Sequence, residues 1–227
     1  MTWLARMELD LLDLEELERS KIMYLDSYEW HKKIWDCFPS SADQKRDFLT
    51  RVDKDEESIK IWILSKRKPI CPPWCLNDCF GVKEVSNSFL RYKYYVFDIK
   101  VNPIVAKLQT KEDSTTLIRR ADGKHTINKR VPLKTKEDLR KWIDRKSEQC
   151  GFAISSLKPL EIGPVVDTYF KKRRAKGYHS SVVFRGVLEV TDSEKFIKTY
   201  LNGIGSAKAF GFGLFLLAPL KNISDNS

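Results

Sequence analysis

At about 100° per residue, Tyr28, His31, Lys32 and Trp35 share one arc of a helix, while Trp30, Ile34, Cys37 and Phe38 share the neighbouring arc. The second set suits a core. The first sets a phenol, an imidazole and an ammonium side by side, one turn apart. Imidazole titrates near pH ~6.5, so His31 belongs to the one side-chain type that readily gives and takes a proton at neutral pH. Positioned proton transfer of this kind contributes roughly 10²–10⁴-fold to a rate. A nearby cation favours negative charge that develops during reaction. The residue types alone are better explained by packing on a helix surface, so the rest of the chain has to decide.

A second chemical signal runs from Gly203 to Gly213, where four of the ten glycines fall: Gly203, Gly205, Gly211 and Gly213, with Lys208 between the pairs. Glycine adopts φ > 0 and lets a backbone or a phosphate come close. The spacing is neither a Walker loop nor a dinucleotide fingerprint, because the loop follows a helix and enters a strand. It reads as a loop that binds a backbone or a phosphate, or as a tight helix–strand junction. Charge favours the first reading. The net charge is +10. Residues 119 to 146 carry +7 and residues 171 to 176 carry +5, so the remainder is slightly acidic. Two concentrated basic clusters point to a polyanion.

Other chemistry is weakly signalled. Cys71, Cys75 and Cys79 recur every four residues, but no partner pair completes a zinc set. No carboxylate cluster suggests a two-metal nuclease. His125, in a polar loop, and His179, beside the basic turn, read as ordinary surface histidines. Neither a metal nor a cofactor is expected.

The elements that must position these groups follow from pattern. Trp3, Ala5, Met7 and Leu9 alternate as a strand. Asp26 and Glu29 start the helix of Tyr28 and His31, and Pro39 ends it. Residues 46–52 and 59–64 read as strands around the turn 53–57, residues 71 onward as irregular, and residues 92–101 as a strand stopped by Asn102-Pro103. Residues 104–129 read as a linker. Thr135 with Asp138 caps a helix burying Leu139, Trp142 and Ile143, and Gly151 closes it. Residues 152–170 give one or two strands, 171–177 a basic turn and 181–190 a strand. Thr191 with Glu194 caps a last helix burying Phe196, Ile197, Tyr200 and Leu201. The order predicts an α+β chain of two tandem ferredoxin-like (RRM-like) domains, 1–103 and 130–227, joined by 104–129. No apolar run is long enough for a bilayer, and the N-terminus resembles no signal or transit peptide. The odd cysteine count fits reduced thiols in the cytoplasm.

The motifs together are similar to those of the CRISPR repeat endoribonucleases of the CasE (Cse3) type, in the RAMP superfamily. The resemblance rests on Tyr28-x-x-His31-x-x-Ile34-Trp35-x-x-Phe38-Pro39 with Arg46-Asp47-Phe48-Leu49. It continues through Val101-Asn102-Pro103, Lys129-Arg130-Val131-Pro132-Leu133 and Phe184-x-Gly186-x-Leu188. It ends on the glycine loop running into Leu214 and Ala218-Pro219. It implies metal-independent cleavage of CRISPR precursor RNA at the base of a repeat hairpin. The 2′-hydroxyl attacks the adjacent phosphate and leaves a 2′,3′-cyclic phosphate and a 5′-hydroxyl. It implies that His31 is the catalytic histidine and Tyr28 its companion, with Lys32 a candidate to stabilise the phosphorane. Lys129, Arg130, Lys171, Lys172, Arg173, Arg174 and Lys176, with the loop residues Gly203, Gly205, Lys208, Gly211 and Gly213, become candidate RNA contacts. The implied partners are the repeat hairpin RNA and other Cascade subunits, with no membrane and no direct DNA contact. The rival from another class is a non-catalytic RNA-binding subunit of the same superfamily.

Overall fold

The computed structural model describes residues 1–12, 21–39, 46–107, 129–172 and 175–220. Two antiparallel sheets carry the chain. The first is built from β1 (Trp3–Asp10), β2 (Phe48–Lys54), β3 (Ser58–Ser65) and β4 (Phe80–Glu84), in the order β2-β3-β1-β4. The helix α1 (Ser27–Ile34) lies between β1 and β2 in sequence. The order and the βαββ beginning are those of a ferredoxin-like unit. The short 3₁₀ turn Asn77–Cys79 stands where the second helix would be.

After β5 (Tyr94–Val101), the short strands β6 (Ile104–Lys107) and β7 (Lys129–Pro132) pair with each other beside the sheets. Helix α2 (Lys136–Gln149) follows, then β8 (Phe152–Ile154), β9 (Glu161–Ile162), β10 (Val166–Lys172) and β11 (Ala175–Val190). Helix α3 (Ser193–Asn202) precedes β12 (Phe215–Pro219). The second sheet has the order β10-β11-β5-β12, and β8 and β9 also pair with β11. The chain is α+β, with the ferredoxin-like strand order in both sheets.

Three expectations change. The strand ending at Val101 opens the second sheet, since β5 pairs with β11 and β12; a division at residue 103 would cut it from its partners. The fourth strand of the first sheet is β4, from the stretch read as irregular. It is an edge strand with no fully buried residue, so its side chains show little alternation. The expected linker begins with β6, and its remainder to residue 128, Asp122-Gly123 and His125 included, lies outside the described residues.

Each sheet buries one face. Ala5, Met7, Ile59, Ile61 and Ile63 meet Trp30, Ile34, Cys37 and Phe38. In the second core Trp142 of α2 stacks on Phe184 of β11, with centroids 6.2 Å apart, and Phe196 and Tyr200 of α3 join Tyr95 and Phe97. Burying one such large apolar side chain contributes about 1.5–3 kcal/mol. Leu49 and Leu64 of the first sheet belong to this second core, so the two units share packing. A polar link adds to it. Arg51 of β2, 4% exposed at its side chain, reaches Asp53 at 2.7 Å and Asp98 of β5 at 2.5 Å. Asp98 also accepts from Arg185 of β11 at 2.7 Å.

Candidate RNA-processing cleft

Helix α1 is fixed at its start by a capping box. The Asp26 carboxylate accepts from the Tyr28 and Glu29 amides at 2.8 and 3.0 Å, and Glu29 accepts from the Asp26 amide at 2.9 Å. Backbone donors that a helix start leaves open are thereby satisfied. The buried stripe is the one the arc predicts, with Trp30 and Ile34 inward. Tyr28 and His31 are half-buried on the flank, and Lys32 is exposed. The His31 ring packs against Trp35 and Phe48, at 6.3 and 6.2 Å between centroids. The Lys32 ammonium lies over the Tyr28 ring, 4.4 Å from its centroid.

His31 lines a cleft of about 250 Å³ between the two sheets. The α1 wall also supplies Asp26, Trp30 and Ile34. The floor comes from Thr50, Val52 and Lys54 of β2 and Lys100 of β5. The opposite wall is Thr168 of β10, His179 of β11 and Phe210, Gly211 and Phe212 of the glycine loop. The structure thus brings His31 and part of the glycine loop to one place, from opposite ends of the sequence. Tyr28 and Lys32 sit beside this cleft and not in its lining.

Two lysines make the floor cationic. Lys100 Nζ donates to the Val52 carbonyl at 2.9 Å, with Asp53 at 3.5 Å. Burial holds its pKa below the usual lysine value, against the pull of Asp53. Lys54 Nζ donates to the Met23 and Leu25 carbonyls at 2.8 and 2.7 Å. Its pKa is also lowered, by burial and then by Lys100. Partly desolvated cations of this kind gain when an anion enters.

The glycine loop divides into two roles. The Gly203 amide donates to the Thr199 carbonyl at 2.7 Å and the Gly213 amide to the Lys100 carbonyl at 2.8 Å. Cβ atoms would stand 2.8 Å from the Gly213 oxygen at Gly203, and 2.3 Å from the Ile204 oxygen at Gly213. These two glycines permit close backbone packing, and their N–H groups are already engaged within the chain. Gly211 faces the cleft. Gly205 and Lys208 face a second groove of about 350 Å³ with Trp142, Lys146 and Ser206. Burial, with Arg46 next to it, lowers the Lys208 pKa.

Part of the basic cluster is strand. Lys171 and Lys172 continue β10, and Lys176 is in β11, with Lys171 opposite Lys176 and Lys172 opposite Ala175. Arg173 and Arg174 lie outside the described residues. Lys129 and Arg130 are in β7, and Arg130 lines a groove with Tyr178, His179 and Phe210. The last helix is capped by Asp192, accepting from the Lys195 amide at 3.0 Å, one residue beyond the expected Thr191.

His179 is the residue that sequence reasoning misplaced. It is 8% exposed and stacks on Phe170, with centroids 4.6 Å apart. Burial lowers its pKa. Lys54, Lys100 and Thr168 had no signal at all, because only the meeting of the two sheets gives them a common space. The cysteines form no ligand set: among the described residues no group of three or more His, Cys, Asp or Glu could hold a metal. Burial pushes the Cys37 and Cys75 thiols up to about 12.

A family model described as CRISPR associated protein matches residues 2–219. The chain belongs to that family. It is 29% identical over 198 residues to the CRISPR system Cascade subunit CasE of Escherichia coli K12, covering 86% of this chain and 93% of the relative. It is 38% identical over 103 residues to the CRISPR-associated endoribonuclease Cse3 of Thermus thermophilus, covering 40% of this chain and 47% of that one. In fold it is similar to the crystal structure of Cas6e from E. coli K-12, with a TM-score of 0.68 at 23% identity over 97% of this chain and all of the other. It is likewise similar to T. thermophilus Cse3 bound to an RNA representing a pre-cleavage complex, with a TM-score of 0.67 at 24% identity, covering 96% of this chain and 99% of that one.

Proposed function

We propose that this protein is an endoribonuclease that cuts CRISPR precursor RNA within the repeat and keeps the product as a Cascade subunit. One observation carries the reading beyond family membership. His31 stands on a rigidly capped helix, in a cleft whose far wall is the glycine loop and the root of the basic hairpin. A nuclease of this family needs a proton-transfer group facing a held RNA, and the cleft has that arrangement.

In this reading the 2′-oxygen forms a bond to phosphorus as the bond to the 5′-oxygen breaks. His31 gives a proton to the departing 5′-oxygen. Tyr28 orients the 2′-hydroxyl, whose proton passes to solvent water as the new bond forms, and the Lys32 ammonium over its ring restrains it. Because nucleophile and phosphorus belong to one chain, orientation removes much of the entropic barrier. Lys54 and Lys100 place positive charge where the phosphorane oxygens become more negative. The hairpin lysines and Arg130 serve the RNA stem, where phosphates and A-form shape dominate over base edges.

No helix among the described residues is long and apolar enough to cross a membrane. All five cysteines are free thiols, which supports a cytoplasmic protein. The test is to incubate the protein with the repeat RNA encoded beside it, in EDTA, and to identify the product ends. A 2′,3′-cyclic phosphate and a 5′-hydroxyl are expected. A 5′-phosphate, or no cleavage, contradicts the reading.

A further inference from the structure

The cleft beside His31 is lined by three residues whose buried polar atoms have no hydrogen-bond partner among the described residues: Ser27 Oγ, Trp30 Nε1 and His179 Nε2. His179 is held on three sides by aromatic rings: Phe170 stacked at 4.6 Å and 13°, Phe210 at 4.7 Å, and Phe212 edge-on at 5.3 Å. Its Nδ1 lies 3.4 Å from the Asn102 amide nitrogen. With that nitrogen assigned as donor, Nδ1 accepts and the imidazole proton sits on Nε2. Nε2 is buried and has no hydrogen-bond partner among the described residues. A buried donor without an acceptor is a standing cost. His179 lines this cavity, and an occupant that reaches the ring would supply the missing acceptor.

The lining says what that is. Trp30, Ile34, Phe210 and Phe212 make most of the surface apolar and largely aromatic. A bare phosphate would gain nothing from those walls, whereas a flat heterocycle would. The volume of about 250 Å³ is below the roughly 300–1,000 Å³ of pockets for drug-sized ligands, which suits one base. Lys54 and Lys100 also line the cleft, and they would face the phosphate attached to that base.

We propose that this cavity receives one unstacked base of the RNA next to the bond on which His31 acts, with His179 Nε2–H donating to an acceptor on the base edge. The inference rests on the proposed RNA cleavage and adds a positioning subsite to it. The base pinned there fixes the sugar and phosphate against His31. Unstacking costs energy, and the aromatic walls and the hydrogen bond offset it.

The experiment uses the full chain and repeat RNAs in which each nucleotide flanking the scissile bond is made abasic in turn. The sugar at the cleaved position is 2′-deoxy for binding and unmodified for cleavage. For the wild type we expect one position at which loss of the base weakens binding or kcat/KM by tenfold or more. His179→Phe keeps a ring in the stack and removes the Nε2 donor. It should show a similar loss on intact RNA and little further loss on that one abasic RNA. Losses that multiply in the variant, or an abasic scan with no sensitive position, overturn the inference. The wild-type scan is decisive even if His179→Phe folds poorly. Failure of the wild type to cut unmodified repeat RNA strikes the proposed function instead, so the two failures are distinguishable.

Discussion

Replacing Gly213 by alanine should be far more damaging than replacing Gly205, although both have positive φ, +86° and +80°. An L-residue in that region costs about 1–2 kcal/mol, and the two variants share this. The surroundings differ. At Gly205 an added Cβ meets only the Trp142 ring, at 3.5 Å, an ordinary contact. At Gly213 it would lie 2.3 Å from the Ile204 carbonyl oxygen and 3.1 Å from the Ile204 nitrogen. Backbone has to move, and the two hydrogen bonds in the way are Ile204 N–H to the Gly213 carbonyl at 3.0 Å and Gly213 N–H to the Lys100 carbonyl at 2.8 Å. Each such bond contributes about 0.5–1.5 kcal/mol. Gly213→Ala should therefore be less stable than Gly205→Ala by about 1–3 kcal/mol. For a chain of this size that is roughly 2–12 °C in Tm. Denaturant and thermal unfolding, followed by circular dichroism, measure the difference. Equal stability of the two variants, with weakened RNA binding only in Gly213→Ala, would refute the assignment of Gly213 to packing.

Removing the Arg51 side chain as Arg51→Ala breaks its bonds to Asp53 and Asp98 but leaves Lys100 beside the first and Arg185 on the second; a loss of about 1.5–3 kcal/mol is expected, with RNA cleavage falling as the two sheets lose their register, and unfolding curves with single-turnover assays check both. His179 has a folded-state pKa below its unfolded value because of burial. The unfolded chain therefore binds the proton first, and stability present above pH ~6.5 is lost as pH falls. His179→Phe should flatten that loss between pH ~7 and ~5 in a Tm-against-pH series, and an unchanged profile would contradict it. Replacing Lys171, Lys172 and Lys176 together by alanine should lower the slope of log K against log[salt] by about 2, since each neutralised phosphate contributes about 0.7–0.9, and an unaltered slope would remove the hairpin from the interface.

What the sequence showed and hid follows the range of the interactions involved. Helix α1 was legible because its signals are local: Asp26 and Glu29 three apart, Trp30 and Ile34 four apart. The same holds for Thr135 with Asp138 and the stripe Leu139, Trp142, Ile143. Strand β4 was hidden because an edge strand needs little buried alternation. The hairpin of β10 and β11 was legible as two strand-like runs around a basic segment, but its bounds were not, because a run of five cations looks like a turn while the paired strands extend through Lys172 and from Ala175. The candidate site was half legible. His31 and the glycine loop stand out by residue type and spacing. His179 is buried by Phe170 across the hairpin and by Phe210 from a loop further along the chain, and Lys100 reaches the first sheet from the second. No local pattern carries such contacts. The split within the loop, with Gly203 and Gly213 packing and Gly211 facing the cleft, depends on backbone approach that composition alone does not encode.

The central claim is that His31 moves a proton during cleavage of a bound repeat RNA. The most direct measurement is single-turnover cleavage of that RNA in EDTA by the wild type and by His31→Ala, with binding to the 2′-deoxy RNA measured in parallel. Unchanged binding and a rate lower by about 10²–10⁴-fold are expected. Wild-type rates from His31→Ala would contradict the claim.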